Sequence, residues 1–398
     1  MSGESGGLRL KWRNYVEDHA LESSTAVRLA ARLAPAAPRV AERVAGAPAV
    51  PRGDHRVSVV VPSFNYGHFL PDAVESAVTQ TGVDVEVIIV DDCSTDDSLR
   101  VAEGLAEKDS RVRVLANEAN SGHVRSFNRG WDASSGEFVV KLDADDLLAP
   151  GALARAAALF VERPNVGLVY GHPRHFWSAE PPAARVGEPF WTIWRGLDWL
   201  AERCARGGTA ITNPEMVLRS SLLRESGPMN PDIPYGPDME ISLRLATISD
   251  VGFIGGSDQA LHREHSNSMS VTEADDAIVD LGARLAAFEA ALGSEHEANL
   301  SAAEREHLLI SARRAVAGHA LRYAAAARDR GEPATGSSEL LDFARELLPV
   351  AERSRAEPWT QPEHPVAVVA HRGGRLARRV QRALHSEGLH ARWMMSGV

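Results

Sequence analysis

The stretch VSVVVPS (57–63) is a continuous apolar run, which is typical of a β-strand covered on both faces. The segment after it, 66–82, has apolar residues at helical spacing and Pro71 in its first turn, where proline is tolerated. Two further helices are predicted, SLRVAEGLAEK (98–108) and one around 123–133. Three further apolar runs predict strands: VEVIIV (85–90), RVRVLAN (111–117) and EFVVKL (137–142). Strands that alternate with helices predict a parallel α/β sheet with right-handed crossovers.

Acidic residues follow two of these predicted strands. Asp91 and Asp92 end the second strand, and Asp143, Asp145 and Asp146 end the fourth. Ligands of such sheets bind beyond the carboxyl ends of the strands, so all five carboxylates are expected to face one crevice. Carboxylates two residues apart offer oxygen ligands to Mg²⁺ or Mn²⁺, whose remaining positions are filled by water and substrate phosphates. The pattern therefore favours a metal–diphosphate site, and the alternative is a solvated acidic loop that begins the next helix.

Composition limits the class of protein. The 398 residues suffice for one large domain or two ordinary ones, and 44% hydrophobic with 24% charged residues is typical of a soluble globular chain. A formal net charge of −11 argues against nucleic acid or an anionic membrane as the main partner. We find neither a signal peptide nor an apolar run near the ~20 residues that cross a bilayer. A cytoplasmic location is expected, and two cysteines exclude a disulfide framework.

Four motifs occur in order: VVPSFNYGHFLPDAVESAVTQT (60–81), EVIIVDDCSTDDS (86–98), a series of Asn and Gly residues (120–137) and KLDADD (141–146). Together they resemble the family-2 glycosyltransferases of the GT-A fold, over about residues 57–272. The resemblance implies an α/β, GT-A type nucleotide-sugar-binding domain with a mainly parallel central sheet. We assign this catalytic domain to 56–272, a helical, Pro-rich N-terminal extension to 1–55, and a mainly helical C-terminal region to 273–398.

The resemblance also implies site residues. The metal, Mn²⁺ or Mg²⁺, would bind Asp145, the second Asp of the family's DxD. In the segment ALHREHSNSMS (260–270) His265 would complete the metal shell or touch the diphosphate, with His262 as the rival. The residues implied for the nucleotide are Pro62, Ser63, Asn65, Asp92 and Asp143.

The segment IPYGPDMEISLRLA (233–246) resembles the one that carries the general base of inverting members, which selects Asp238. A base is needed because a sugar hydroxyl is a poor nucleophile until its proton is removed. An alternative role for Asp238 is the N-cap of the next helix. The chain departs from the family at Pro237, where Glu is common, and at Phe127, where Arg is common. Arg125 and Arg129 are weak candidates to restore the positive charge near the diphosphate.

Other features leave alternatives open. Four tryptophans in residues 175–200 could stack on a sugar or bury area in the core, and Trp191 and Trp194 are the weak sugar or acceptor candidates. Thr209, Asn213 and Glu215 are further weak sugar or acceptor candidates.

Cys93 is interpreted as a small buried residue. The C-terminal helices are expected to pack on the catalytic domain or on a second subunit, which allows a homo-oligomer. Gly373 and Gly374 could cradle a phosphate, although a surface helix fits them better.

The leading function is a metal-dependent, inverting glycosyltransferase that takes a UDP-, GDP- or dTDP-sugar and a small-molecule acceptor. A nucleotide-sugar mutase on the same fold, with no acceptor, is the alternative, because fold does not determine chemistry. A non-catalytic nucleotide-binding subunit is the third possibility.

Overall fold

The computed structural model describes residues 42–45, 55–208, 211–233, 235–265, 276–293, 300–330 and 334–348. One mixed sheet runs through this part of the chain, in the order β1-β8-β10-β7-β9-β5-β2-β3-β4, with the short β6 paired to β10. Its strands are β1 Glu42–Ala45, β2 Arg56–Ser63, β3 Asp84–Asp91, β4 Val112–Ala116, β5 Phe138–Lys141, β6 Leu147–Leu148, β7 Val166–Phe176, β8 Val186–Trp194, β9 Val217–Arg219 and β10 Asp250–Arg263.

The four strands predicted from sequence form one parallel block, β4-β3-β2-β5. Beyond it the sheet is more mixed than predicted. The short β9 is antiparallel to both β5 and β7, while β7 and β10 are parallel to each other. The α/β fold class is confirmed. β9 runs antiparallel to both of its neighbours, and β6 and β8 are antiparallel to β10. No periodicity in a strand as short as the three-residue β9 could have revealed its direction.

The helices cover both faces of the sheet because the parallel strands are buried on both sides. In the first half of the chain they connect successive strands, and from residue 277 onward the described elements are all helices. Their bounds are α1 Leu70–Val78, α2 Ser98–Lys108, α3 His123–Asp132, α4 Ala152–Glu162, α5 Gly196–Arg206, α6 Ser220–Ser226, α7 Pro237–Leu245, α8 Ala277–Gly293, α9 Ala302–Arg330 and α10 Ala334–Leu347.

The described part of the N-terminal extension is a strand, so the helical prediction is wrong for it. β1 pairs antiparallel with β8, with Glu42 opposite Ile193. An uncovered sheet edge presents unpaired backbone groups, and β1 satisfies those of β8. The guanidinium of Arg163 donates hydrogen bonds of 2.5 and 3.1 Å to Glu42. The remainder of 1–54 lies outside the described residues.

The C-terminal helices share a hydrophobic core with the sheet domain. Leu281 and Phe288 of α8 and Val316 of α9 are fully buried in the same cluster as Val60 of β2 and Trp199 of α5. His319 of α9 also contacts α5, with Nε2 2.9 Å from the carbonyl oxygen of Arg206. These helices therefore pack on the catalytic domain of their own chain. The boundary at 273 and a homo-oligomer stay predictions, and Gly373 and Gly374 lie outside the described residues.

A helix that crosses a bilayer must be both long and apolar. Within the described ranges, no helix combines the length and the apolar character needed to cross a bilayer.

Candidate active site

The crevice forms where three adjacent strands end. β2 lies between β3 and β5, so the segments that follow these strands meet at one edge of the sheet. Pro62 and Ser63 end β2, Asp91 ends β3, and the acidic residues 143–146 follow β5. The structure thus brings the acidic residues of both strands to one edge. The hydroxyl of Ser63 is buried and has no hydrogen-bond partner among the described residues.

Asp92, directly after β3, organises the loop at residues 117–122. Its Oδ1 accepts hydrogen bonds from Asn117 Nδ2 at 2.6 Å and from the amide and hydroxyl of Ser121, both at 2.9 Å. Its Oδ2 accepts a 2.7 Å hydrogen bond from the amide of Gly122. Burial acts to raise the pKa of Asp92, but these hydrogen bonds outweigh it and hold the pKa below the ordinary value. Asp92 is therefore an ionised, fixed group just beyond the end of β3.

Two asparagines of the sequence motifs hold loops in place. Asn65 has a positive φ of 58°, and its Oδ1 accepts hydrogen bonds of 2.8 and 3.3 Å from the amides of Thr95 and Asp96. Oδ1 of Asn128 accepts a 3.0 Å hydrogen bond from the amide of Met229, and Nδ2 of Asn128 donates one of 2.8 Å to the carbonyl of Met229. Met229 lies in the segment that leads to Asp238. Both side chains thereby connect segments that are distant in sequence.

Asp143 lies in a charged cluster that includes a buried lysine. The ammonium of Lys141, at the end of β5 and only 1% exposed, contacts Oδ1 of Asp143. Nδ2 of Asn213 donates a 3.2 Å hydrogen bond to Oδ2 of the same carboxylate. Burial acts to raise the pKa of Asp143, yet the positive charges of Lys141 and His123 prevail and lower it. The carboxylate is therefore ionised and held rigidly.

Asp238 belongs to the same crevice. It lies in the first turn of α7, whose N-cap is Gly236 at φ 78°, so the N-cap alternative for Asp238 is wrong. Pro237 occupies the start of the helix, where a missing amide hydrogen does no harm. Burial raises the pKa of Asp238 to about 6 despite a hydrogen bond from the amide of Met239 and the charge of Lys141. A carboxylate with this pKa is a stronger base than an ordinary aspartate and remains ionised at neutral pH.

The two residues predicted to bind the metal are in contact. Oδ2 of Asp145 lies 3.0 Å from Nε2 of His265. Two ligands at right angles around an ion about 2.1 Å away lie about 3 Å apart, so this pair fits a divalent cation. The centroid of the Phe69 ring, just before α1, lies 5.2 Å from that of the His265 ring. The ring of Tyr66 packs edge-on against the His265 ring, with the centroids 5.7 Å apart. These aromatic rings fix the histidine beside the carboxylate.

Asp146 and the rival His262 form a separate pair. Nδ1 of His262 lies 2.9 Å from Oδ2 of Asp146, and Oδ1 of Asp146 accepts a 2.8 Å hydrogen bond from the amide of Arg263. The guanidinium of Arg263 also donates a 3.0 Å hydrogen bond to the carbonyl of Asp145. Burial raises the pKa of Asp146 to about 6, against the opposing charge of His262. This pair anchors the acidic loop to the end of β10.

The two arginine candidates differ in what they contact. Arg125 is exposed on α3, whereas Arg129 donates a 2.7 Å hydrogen bond to the carbonyl of Ala116 and a second one to Asn117 Oδ1. Arg129 therefore supports the Asp92 loop. Phe127, in place of the family's arginine, is fully buried in the core. Positive charge near the carboxylates comes instead from Lys141, and both arginines stay only predicted diphosphate contacts.

Several weak sugar candidates are buried. Trp191 and Trp194 are 2% and 0% exposed and pack in the core, so the structure contradicts their stacking on a sugar, which needs an open ring face. Of the four tryptophans in this region, Trp177 alone is exposed, at 39%. Thr209 lies outside the described residues. Cys93 is exposed with a φ of 61°, so its interpretation as a buried residue is wrong.

Glu215 is also unsuited to contact a sugar in this conformation. It is 1% exposed, and its two oxygens accept 2.6 Å hydrogen bonds from the amide and the hydroxyl of Thr212. Burial, opposed by these hydrogen bonds, raises the pKa of Glu215 to about 8. The side chain is therefore predominantly protonated at neutral pH.

This raised pKa predicts a pH-dependent stability. The folded state holds a proton on Glu215 that the unfolded state releases near its ordinary pKa of 4.5. The stabilisation is complete below that pH and is lost as the pH rises through about 8. Glu215→Gln cannot titrate and retains the protonated shape. Near pH 9 we expect the variant to exceed the wild type in unfolding free energy by on the order of 3 kcal/mol.

Urea unfolding of both proteins at about pH 5 and about pH 9 measures this difference. All other titrating groups are common to the two proteins, so the change in their difference with pH isolates Glu215. An equal difference at both pH values would contradict a buried, protonated carboxyl.

Sequence reasoning missed Lys141 and Tyr66. The signal for Lys141 was available: a lysine inside the apolar run EFVVKL is almost never buried unless an acid pairs with it. Burial and the negative charges of Asp145, Asp143 and Asp146 raise the pKa of Tyr66, which shows that its side chain lies near these three carboxylates. Nothing in its local sequence distinguishes it from a core aromatic residue.

Known proteins resemble this chain in sequence and in fold. Residues 58–203 match the family model described as "Glycosyl transferase family 2". An "Uncharacterized glycosyltransferase" of Haemophilus influenzae is 25% identical over 54% of this chain and 67% of its own length. A "GalNAc(5)-diNAcBac-PP-undecaprenol beta-1,3-glucosyltransferase" of Campylobacter jejuni is 40% identical over 25% of this chain and 32% of its own.

Among solved structures, S. aureus TarS 1-349 in complex with UDP is similar. It has a TM-score of 0.51 at 18% identity, and the alignment covers 77% of this chain and 87% of TarS 1-349. At that identity the likeness establishes the fold alone.

These matches define the class as nucleotide-sugar-dependent glycosyltransferases of the GT-A fold. The chain thus resembles glycosyl transferase family 2 over residues 58–203, and the enzyme prediction is confirmed at the level of this class.

Proposed function

We propose that the protein is a divalent-metal-dependent, inverting glycosyltransferase that passes a sugar from a nucleoside diphosphate to an acceptor hydroxyl. The observation that carries the proposal is the position of Asp238. Its carboxylate, with a pKa of about 6, is close enough to Lys141 and Asp143 for their charges to shift that pKa. The Asp145–His265 pair lies on the same acidic loop as Asp143. A base and a diphosphate site in one crevice are what an inverting transfer needs.

The residues have distinct roles in this proposal. Asp92 and the hydroxyl of Ser63 lie at the strand ends where the nucleotide would bind, and Asp143 would contact the ribose. Asp145 and His265 would hold a Mn²⁺ or Mg²⁺ ion, which supplies Lewis-acid stabilisation to the leaving diphosphate. Asp238 removes the proton from the acceptor hydroxyl. The acceptor oxygen bonds to the anomeric carbon while the bond to the diphosphate oxygen breaks, and the diphosphate leaves with the electron pair.

The mutase alternative depended on two departures from the family, and both have a structural explanation. Phe127 is a core residue, and Pro237 begins α7. Neither requires different chemistry. The name of the Campylobacter relative describes a lipid-linked saccharide acceptor, which supports a saccharide acceptor here. No observation favours a non-catalytic subunit over an enzyme.

Incubation with a panel of UDP-, GDP- and dTDP-sugars and Mn²⁺, without acceptor, tests the proposal. Chromatography and mass spectrometry should show slow, enzyme-dependent release of one nucleoside diphosphate, because water replaces the acceptor. The Asp145→Ala variant should release none. A new product with the mass of the donor would identify a mutase and overturn the proposal. Addition of saccharide acceptors to the active donor then identifies the acceptor.

A further inference from the structure

A second cluster of potential metal ligands lies beside the proposed site. Nδ1 of His175, at the end of β7, is 3.0 Å from Oε1 of Glu264, and Nε2 of His262 is 3.9 Å from the same oxygen. The three ligand atoms all lie within 4.8 Å of one another. The side chains of His175 and Glu264 are 6% and 2% exposed, and that of His262 is 17% exposed. The cluster is therefore buried and compact.

The backbone places these residues in a fixed arrangement. His175 and His262 are direct neighbours in the register of the parallel strands β7 and β10. Their ring centroids are 4.9 Å apart with the planes at 69°. The amide of Glu264 donates a 2.8 Å hydrogen bond to the carbonyl of Phe176. All three ligands therefore belong to paired strand ends, which position them more accurately than a loop would.

The cluster faces away from the Asp145–His265 pair. Arg263 and His265 contact the ring of Phe69, at 4.9 and 5.2 Å from its centroid, whereas the alternate residues His262 and Glu264 contact His175. Successive side chains of an extended backbone point to opposite sides. The two groups of ligands therefore occupy opposite sides of the β10 end, with separate donor atoms.

Asp146 orients one of the histidines. Its carboxylate lies 2.9 Å from Nδ1 of His262, which leaves Nε2 as the atom on the side of Glu264. A metal-binding histidine commonly donates its other ring N–H to a carboxylate, which fixes its tautomer and increases its basicity as a ligand. The Asp146–His262 pair has this arrangement.

Electrostatics favours a cation between the three residues. Imidazole nitrogens and a carboxylate oxygen this close together concentrate lone pairs in a region with little solvent. A divalent ion bound to all three would take the place of the proton that His175 and Glu264 otherwise share across their 3.0 Å contact. Neighbouring ligands of a four-coordinate zinc, at about 2.0–2.1 Å from the ion, lie about 3.4 Å apart. The separations of 3.0 and 3.9 Å lie on either side of that value.

We propose that His175, His262 and Glu264 form a second cation site, selective for a zinc-type ion over Mn²⁺ or Mg²⁺. Two imidazoles and one carboxylate suit Zn²⁺, Co²⁺ or Fe²⁺, whereas Mg²⁺ and Mn²⁺ favour oxygen ligands. The ion joins β7 to β10 and, through Asp146, fixes the acidic loop that carries Asp145. The competing occupant of the cluster is a proton shared between Glu264 and an imidazole.

Cobalt binding distinguishes the two occupants. Metal-free protein that carries Asp145→Ala, to disable the first site, is titrated with Co²⁺ and followed by visible absorption, and with Zn²⁺ followed by calorimetry. We expect one equivalent of each ion to bind, with cobalt absorption typical of nitrogen ligation. Adding His175→Ala should weaken the affinity for the ion by at least about 100-fold. Loss of a residue that only orients a ligand already weakens metal binding by about 10–100-fold, and loss of a ligand itself should weaken it more.

His307→Ala in the same background is the matched control, because His307 is exposed on α9 far along the chain from the cluster. It should leave affinity and spectrum unchanged. If His175→Ala fails to fold by circular dichroism, Glu264→Gln replaces it, since the amide keeps the shape and loses the charge. Absence of cobalt binding in the Asp145→Ala protein, or equal binding in the ligand variants, would overturn the proposal and assign the cluster to a proton. The readout is metal binding, so it is independent of the proposed transfer activity.

Discussion

Replacing Asp238 by asparagine should lower kcat by about 10²–10⁴-fold and leave the affinity for the nucleotide within a few-fold of wild type. An amide keeps the shape of the carboxylate but cannot accept the proton of the acceptor hydroxyl. The nucleotide contacts are expected at Ser63, Asp92 and Asp143, which the substitution does not touch. Steady-state kinetics on the identified donor and calorimetric titration with the nucleoside diphosphate measure the two quantities.

Asp232→Asn is the matched control for this experiment, since Asp232 is exposed in the segment just before α7. Its kcat should equal that of the wild type. The pH profile gives a second readout: the wild-type kcat should fall as the pH decreases through about 6, because a protonated Asp238 cannot act as a base. Full activity of Asp238→Asn at neutral pH would remove this residue from the mechanism.

Replacing Asp145 by alanine should abolish the metal-dependent part of nucleotide binding. The variant loses the carboxylate that lies 3.0 Å from His265, and the ion then has no anionic ligand from this pair. We expect the affinity for the nucleoside diphosphate in Mn²⁺ to fall by more than about 100-fold, to the value that the wild type has in the presence of a chelator. Calorimetric titrations with and without Mn²⁺ measure this for both proteins.

The control for this variant is Asp132→Ala, an exposed aspartate at the end of α3. It should bind nucleotide as the wild type does, both with and without Mn²⁺. An Asp145→Ala protein with unchanged affinity in Mn²⁺ would exclude this carboxylate as a ligand. His265→Ala should produce a smaller decrease, because water can replace a neutral imidazole more readily than a carboxylate.

The sequence predicted the parts of the fold that depend on local pattern. The runs at 57–63 and 85–90 became the buried strands β2 and β3, whose observed bounds extend one residue beyond the prediction at one or both ends. The predicted helix at 123–133 is observed as His123–Asp132. A continuous apolar run and a helical period are properties of neighbouring residues, so they can be read without the tertiary structure.

Burial of individual side chains could not be predicted in the same way. Trp194 and Glu215 occupy positions where the sequence allowed contact with a sugar, yet the fold buries both. Lys141 was hidden inside a predicted strand, although it controls the charge around Asp143. Whether a side chain faces the crevice or the core depends on elements that pack on it from distant parts of the chain, and C-terminal helices such as α8 and α9 contribute to that core.

The sequence by itself determined the class of the site, because the DAD motif, the apolar strands and the segment around Asp238 each carry their chemistry in residue type and spacing. Only the tertiary structure decided which of these groups meet. It placed His265 on Asp145 and His262 on Asp146, a choice between two nearby histidines that spacing left open. It also brought His175 of β7 to Glu264 across the strand pair. The physical reason is that the side-chain direction alternates along β10, so neighbouring residues serve opposite sides of the sheet end.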